Sequence, residues 1–491
     1  MDINKEFDNF LSSMKNFNIN VASEFLSNTS FNIKYTGEVI DVLGKGLTEE
    51  NFKNRPDYFN FCEEQLLKMA NDEKYQEVIF DFLDIIEVDD CKLSSSVLIV
   101  VTVLENTKNP NRTSLEYLLI STFNNLNGMD VTNLREILLS IIRLLIKLKK
   151  HFQLEQSLLH YFARIAFLVL RANIDPIEYL NLLSSIIYDP FYLLEFEFDE
   201  KEQELHMASF FYLYFKTGIQ WGPKIYNQFY VLEKCCNLAM SVYDNNNFGK
   251  SFAKLILSKF KNNEIPLHSL NKYHESFLLE AAHSSVYNEH LNIRKESIES
   301  LMIFLDKLST DAQYVVLKYA FLKPLESSIK DQLIIKMKNL IILKLKSNQA
   351  LRYFQGITLL ELIQLCCNIP EKPGCYIENN KEHILGAISL MYFLSINNNE
   401  KLNLGEEFLN QTKQFVNKIQ NTIHHAREQH NFEQKVLDGE IVTEKNNIMQ
   451  VNNLNFSDLS KNEKRDILSR IYTTITLVQS NLNLLKSIIK D

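Results

Sequence analysis

The chain has 491 residues, 46% of them hydrophobic and 23% charged, with a formal net charge of −9. Such a composition folds rather than staying disordered, and its acidic balance tilts against nucleic acid and anionic membrane, which attract a basic footprint. With only 12 glycines and 9 prolines, the chain is poorly supplied for sheets joined by tight turns or for phosphate-cradling loops, so the expected class is all-α.

In chain order, the opening MDINKEFDNF has no apolar run behind a basic region and does not read as a signal peptide. No stretch reaches the roughly 18 uninterrupted apolar residues of a membrane helix, and a cytoplasmic location, or a nuclear one, is expected. Residues 15–55 are polar with little periodicity, which predicts loops or a frayed cap. In VTNLREILLSIIRLLIKLKK, Leu134, Ile137, Leu138, Ile141, Leu145 and Leu148 make one stripe, and Glu136, Ser140, Arg143, Lys147 and Lys150 the opposite one. That is the 3.6-residue period of an amphipathic helix. The basic side of this helix is the one place where a nucleic-acid or membrane adaptor could be read.

Gly249-Lys250-Ser251 has the ending of a phosphate-binding loop, but the required upstream glycine is Asp244 and no strand precedes it. Ile298, Leu301, Met302, Leu305 and Leu308 predict a further helix. The seven cysteines, Cys62, Cys91, Cys235, Cys236, Cys366, Cys367 and Cys375, include two adjacent pairs. Neighbours at i, i+1 point to different faces of a helix, so reduced, buried thiols are expected rather than a metal site. His424, His425 and His430 lie close together, but the residue that would make an i, i+4 metal pair with His425 is Gln429; a solvated helix face is expected. Residues 432–458 read as a break of about 25 residues, long enough to be disordered or functional. Ser460 and Glu463 then form a capping box, opening a last helix with Leu468, Ile471, Ile475, Val478, Leu482, Leu485 and Ile489 on one face.

Helices of about 12–20 residues thus recur in pairs at roughly 40–45 residues, the period of HEAT or armadillo repeats. The expected architecture is a HEAT/armadillo-like helical-repeat solenoid, one continuous array because each pair buries its face only against its neighbours. No motif of a protease, hydrolase, dinucleotide-binding enzyme or metal site appears. A non-enzyme without cofactor, metal or small-molecule substrate is expected.

From about residue 200 the sequence resembles the glomulin family, helical-repeat proteins that bind the RING subunit of cullin–RING ubiquitin ligases. HMASFFYLYFKTGIQW (206–221), IRKESIESLMIFLDKLSTDAQY (293–314), FQGITLLELI (354–363) followed by Ile369, Pro370 and Glu371, and HILGAISLMYFLSINNNE (383–400) carry the likeness in order. The resemblance divides the chain into amino-terminal repeats over 1–200 and family-like repeats over 201–491. It implies a monomer whose carboxy-terminal repeats cover the RING surface that receives the ubiquitin-conjugating enzyme. Asn398, Asn399 and Glu400 match the family's polar turn, Arg427 sits where the family has a basic residue, and Tyr392 stands where the family carries Arg. Tyr392, Asn398, Glu400, His424, Arg427 and Glu428 are the expected partner-binding residues. The alternative is a helical-repeat scaffold for another protein, such as an immunophilin or a transcriptional regulator.

Overall fold

The structure is a computed structural model that describes residues 3–27, 35–108, 110–126, 131–148, 156–195, 201–221, 227–243, 248–347, 350–369, 376–398, 400–440, 450–451, 454–455 and 459–489. It divides into two compact units, Met1–Val242 and Tyr243–Asp491. The 200/201 division drawn from the resemblance falls inside the first unit.

The first unit begins with α1 (Ile3–Lys15), α2 (Ile19–Ser27), α3 (Thr36–Gly44), α4 (Glu49–Asn54), α5 (Pro56–Ala70) and α6 (Ile79–Asp84). It continues through α7 (Leu93–Asn106), α8 (Arg112–Asn124), α9 (Val131–Leu148) and α10 (Gln156–Arg171), and ends with α11 (Pro176–Ser184), α12 (Lys201–Thr217) and α13 (Gln228–Ser241). Helices α3, α5, α7, α9 and α11 each pack on the next in that series, while α6 packs on α8 and α10 on α12. Contact with the second neighbour in sequence is what stacked helix pairs produce.

The second unit contains α14 (Gly249–Ser258), α15 (Lys272–Tyr287), α16 (Leu291–Lys307), α17 (Thr310–Leu322) and α18 (Ser327–Lys346). Then come α19 (Gly356–Cys366), α20 (Tyr376–Asn379), α21 (Lys381–Asn397), α22 (Gly405–Asp438) and α23 (Lys461–Ile489). One layer runs through α15, α17, α19 and α22; α18, α21 and α23 pack in series in the other, and α15·α16 and α22·α23 close the layers on each other. The repeat period is visible in side-chain hydrogen bonds between successive pairs. Ser121 reaches Glu87 across 34 residues, Lys307 reaches Asn262 across 45 and Lys338 reaches Ser389 across 51. The only sheet among the described residues pairs β1 (Gln450–Val451) with β2 (Leu454–Asn455), antiparallel. The fold is an all-α helical repeat of the HEAT/armadillo-like kind.

The expected stripe of α9 is buried as read, from Leu134 to Leu148, and Lys150 lies outside the described residues. In α16 the face is rotated: Ile298 and Met302 are half-buried, while Ser297, Ser300, Leu301, Phe304 and Leu305 are inside. The rotation lets α15 and α16 approach closely, with Ser297 Oγ 3.1 Å from Ser284 Oγ. Residues 15–55 correct the expectation of loops. Helices α2, α3 and α4 are only 9, 9 and 6 residues long, too short to display a period, yet Ala22, Val39, Ile40 and Leu43 are buried. The break expected from 432 starts later, because α22 is helical to Asp438. Gly439 ends it at φ 81°, with the Gly439 N–H donating to Val436 O and the Glu440 N–H to Lys435 O, a Schellman closure that a residue with a Cβ resists. Residues 441–449 lie outside the described set.

Candidate protein-binding surface

The surface carrying the expected residues is built by α21, the turn after it, and the α22–α23 pair. Helix α21 is fixed against α18 by polar contacts in increasing register: the His383 N–H donates to Ser327 Oγ at 3.0 Å, and Lys338 Nζ donates to Ser389 Oγ at 3.0 Å. The two helices are therefore parallel. They come close at Gly386, where an added Cβ would collide with Asp331 Oδ1. With Met391 and Leu394 buried, Tyr392 and Ile396 face out one turn apart, 37% and 57% exposed.

Asn398 caps the end of α21, and both it and Glu400 are exposed; Asn399 lies outside the described residues. The turn is held down by Leu402 and Leu404, both buried, and by the Gly356 N–H donating to Leu402 O at 2.8 Å.

Along α22, Phe408, Thr412, Phe415, Val416, Ile419, Ile423 and Ala426 are buried, spacings of three and four that press one face against its neighbours. This leaves His424, His425, Arg427 and Glu428 outside. His424 Nε2 lies 3.2 Å and His425 Nδ1 3.7 Å from Glu428 carboxylate oxygens. Such exposed pairs contribute little to stability, so the group is free to exchange these contacts for others. Arg427 makes no ion pair or hydrogen bond among the described residues, and its guanidinium points a planar set of donors at solvent.

Helix α23 opens with the expected capping box. The Ser460 N–H donates to Glu463 Oε2 at 2.8 Å and the Glu463 N–H to Ser460 Oγ at 3.4 Å, and hydrogen bonds from Ser460 hold the Glu463 carboxyl below its usual range. Leu468, Ile471, Ile475, Val478, Leu482 and Leu485 are buried as expected, and Ile489 is half-buried.

The six expected residues do not make one cluster. His424, Arg427 and Glu428 share a turn of α22. Asn398 and Glu400 precede its start, and at 1.5 Å per residue Arg427 stands about 33 Å along the helix from Gly405. Tyr392 belongs to a different helix. What the sequence pattern did not single out is Tyr472 on α23, 59% exposed, with its ring centroid 5.6 Å from that of His430 on α22. Its signal was legible: an aromatic one position off the buried stripe of an amphipathic helix.

Features that suggested other functions are accounted for locally. Lys250 is 4% exposed, and its Nζ donates to Tyr243 O at 2.9 Å, so it fixes the start of α14 rather than facing a phosphate. On α9, Lys147 of the supposed basic face lies 3.6 Å from Glu105, and Arg135 in the first turns lies 3.5 Å from Glu178. Cys62, Cys235, Cys236 and Cys366 are buried free thiols, and Cys91 and Cys367 are half-buried; burial pushes the Cys236 thiol up to about 12. Cys375 lies outside the described residues. Among the described residues no three His, Cys, Asp or Glu side chains are grouped to hold a metal ion, and no helix is long and apolar enough to cross a membrane.

Fold and surface together define a helical-repeat protein whose exposed carboxy-terminal features are side chains suited to contact another surface. No protein-family profile matches the chain. It is similar to human glomulin, 26% identical over 111 residues, which is 23% of this chain and 19% of that protein. It is also similar to mouse glomulin, 27% identical over 108 residues, 22% of this chain and 18% of that protein. The matched segment thus spans less than a fifth of these relatives. A solved circular tandem repeat protein aligns over 99% of this chain and 90% of its own at 11% identity, with a TM-score of 0.16, too loose a superposition to carry an argument.

Proposed function

We propose that the chain is a non-enzymatic regulator that binds the RING subunit of a cullin–RING ubiquitin ligase and blocks access of the ubiquitin-conjugating enzyme. The observation that carries this reading is the partial similarity to glomulin, and the exposed side chains of α21–α23 are compatible with it. Occlusion needs no reacting group, only a surface that competes for the same face. A RING presents apolar side chains and backbone acceptors beside its zinc loops. An aromatic anchor, a guanidinium and a polar rim complement such a surface. The reading assigns the contact to Tyr392, Asn398, Glu400, His424, Arg427 and Glu428, and places the protein, as a monomer, in the cytoplasm or nucleus.

The deciding experiment is size-exclusion chromatography of the purified chain with a cullin–RING catalytic core, followed by a ubiquitin-chain assay. Co-elution with a stoichiometric fall in chain formation supports the reading. Separate elution and unchanged chain formation at micromolar concentrations overturn it.

A further inference from the structure

We infer that the groove between α15 and the start of α18 is a subsite for the arginine side chain of a partner peptide, separate from the surface on α21–α23. The groove has a volume of about 400 Å³, within the range of small-ligand pockets. One wall is a single face of α15, where Leu279, Ala282, His283 and Tyr287 follow at the three- and four-residue spacings of helix neighbours. The other wall is the short connection from α17 to α18. It is stiff, because Pro324 fixes its own φ and the Leu325 N–H donates to Lys323 O at 2.8 Å. Leu325 and Ile329 complete an apolar lining.

The polar groups set the charge of the occupant. Tyr287 donates its O–H to Glu326 Oε1, and its ring is 57% exposed, with the His283 ring 4.8 Å away between centroids. With its hydroxyl hydrogen committed to Glu326, Tyr287 offers a partner the face of its ring. Glu326 Oε2 accepts no hydrogen bond and Glu326 forms no ion pair among the described residues. Glu280 adds a second carboxylate to the lining. Lys323 also lines the groove, but its Nζ lies 4.6 Å from the ring centroid of Tyr319, so its charge is directed to another ring. Two carboxylates beside an exposed aromatic face and an apolar wall complement an alkyl cation. Its methylene stem lies along Leu279 and Ile329; its head takes a cation–π contact with Tyr287 and a charge-assisted hydrogen bond to Glu326. A guanidinium suits this better than an ammonium, being planar and less strongly hydrated, so that it stacks on a ring while donating from its edge. The positive end of α18 is offset by Glu326 at its N-cap, and Tyr287 is the last residue of α15, at the negative end of that helix.

The test is saturation-transfer NMR of the full chain with Nα-acetyl-arginine amide, with the citrulline amide as uncharged isostere and the Nα-acetyl-lysine amide as the rival cation. One side chain in an open groove should bind with Kd on the order of 1 mM. The expected result is at least fivefold weaker binding of the citrulline and lysine compounds. Glu326→Gln and Tyr287→Leu should each weaken the arginine compound at least fivefold, Tyr287→Phe less than threefold, and melting curves should show all three variants folded. No transfer to the arginine compound, equal binding of citrulline, or wild-type binding by both Glu326→Gln and Tyr287→Leu overturns the assignment; the citrulline comparison decides on wild type alone if a variant fails to fold. Lysine binding as tightly as arginine overturns the choice of guanidinium. The RING reading rests on other residues and stands or falls separately.

Discussion

His383 on α21 donates from Nε2 to the backbone carbonyl of Cys366, the last residue of α19, at 2.7 Å. A carbonyl only accepts, so the ring proton sits on Nε2, and Nδ1 is left buried without a partner. The ring is neutral for a physical reason: burial, then the charge of Lys330, lowers its pKa to about 4. Burial likewise lowers His274 to about 4 and, with Arg164 second, His206 to about 3.

These three histidines predict acid lability. Their folded pKa values lie below the unfolded value near 6.5, so the unfolded chain takes up protons first as pH falls. Their contribution is complete above about pH 6.5 and declines below it, by up to about 1.4 kcal/mol per pH unit for each. Melting temperature should drop between pH 7 and pH 5, and His383→Gln, which keeps a donor for Cys366, should drop less steeply. A melting temperature that is flat or rises on acidification over that window contradicts the account.

The Ser297–Ser284 contact predicts sensitivity to size. Ser297 is fully buried where α15 meets α16, so Ser297→Leu should overpack the crossing at a cost of about 1–3 kcal/mol. Ser297→Ala forfeits a hydrogen bond to Ile293 O and should cost about 1 kcal/mol or less. Urea denaturation of both variants measures the difference; equal stabilities would mean the helices part easily there.

The terminal helix should depend on its cap. Ser460→Ala removes the acceptor for the Glu463 N–H and should destabilise the chain by about 1 kcal/mol. Hydrogen exchange of the first turn of α23 should speed up more than that of its last turn.

The unit boundary predicts which fragment folds. A chain of residues 243–491 should melt cooperatively, because its described helices pack mainly on one another. A chain of 201–491 retains α12 but loses α10, exposing apolar residues of α12 such as Phe210 and Phe211. It should be less soluble, and circular dichroism with light scattering would show whether the order is reversed.

If the partner surface lies where proposed, Arg427→Glu should weaken RING binding by about 2 kcal/mol or more at the centre of the interface. At its rim the cost would be below about 1 kcal/mol. Since Arg427 is exposed, melting should not move, and full inhibition of chain formation by this variant would put the contact elsewhere.

Local pattern determined the helices of this protein, because a 3.6-residue period shows itself within about a dozen residues. The stripes of α9 and α23 and the Ser460–Glu463 box are legible in the sequence, as is the outward face bearing His424 and Arg427. Periodicity could not supply the elements α2–α4, whose nine residues or fewer hold at most about two and a half turns, nor the rotation of α16 that turns Ser297 inward. Those were decided by how closely neighbouring helices approach. The tertiary structure alone brought Tyr472 to His430 across two helices, separated Asn398 from Arg427 by about six turns of α22, and turned Lys250 into the core. Sequence spacing reports neighbours along one helix, and contacts between helices depend on how they pack.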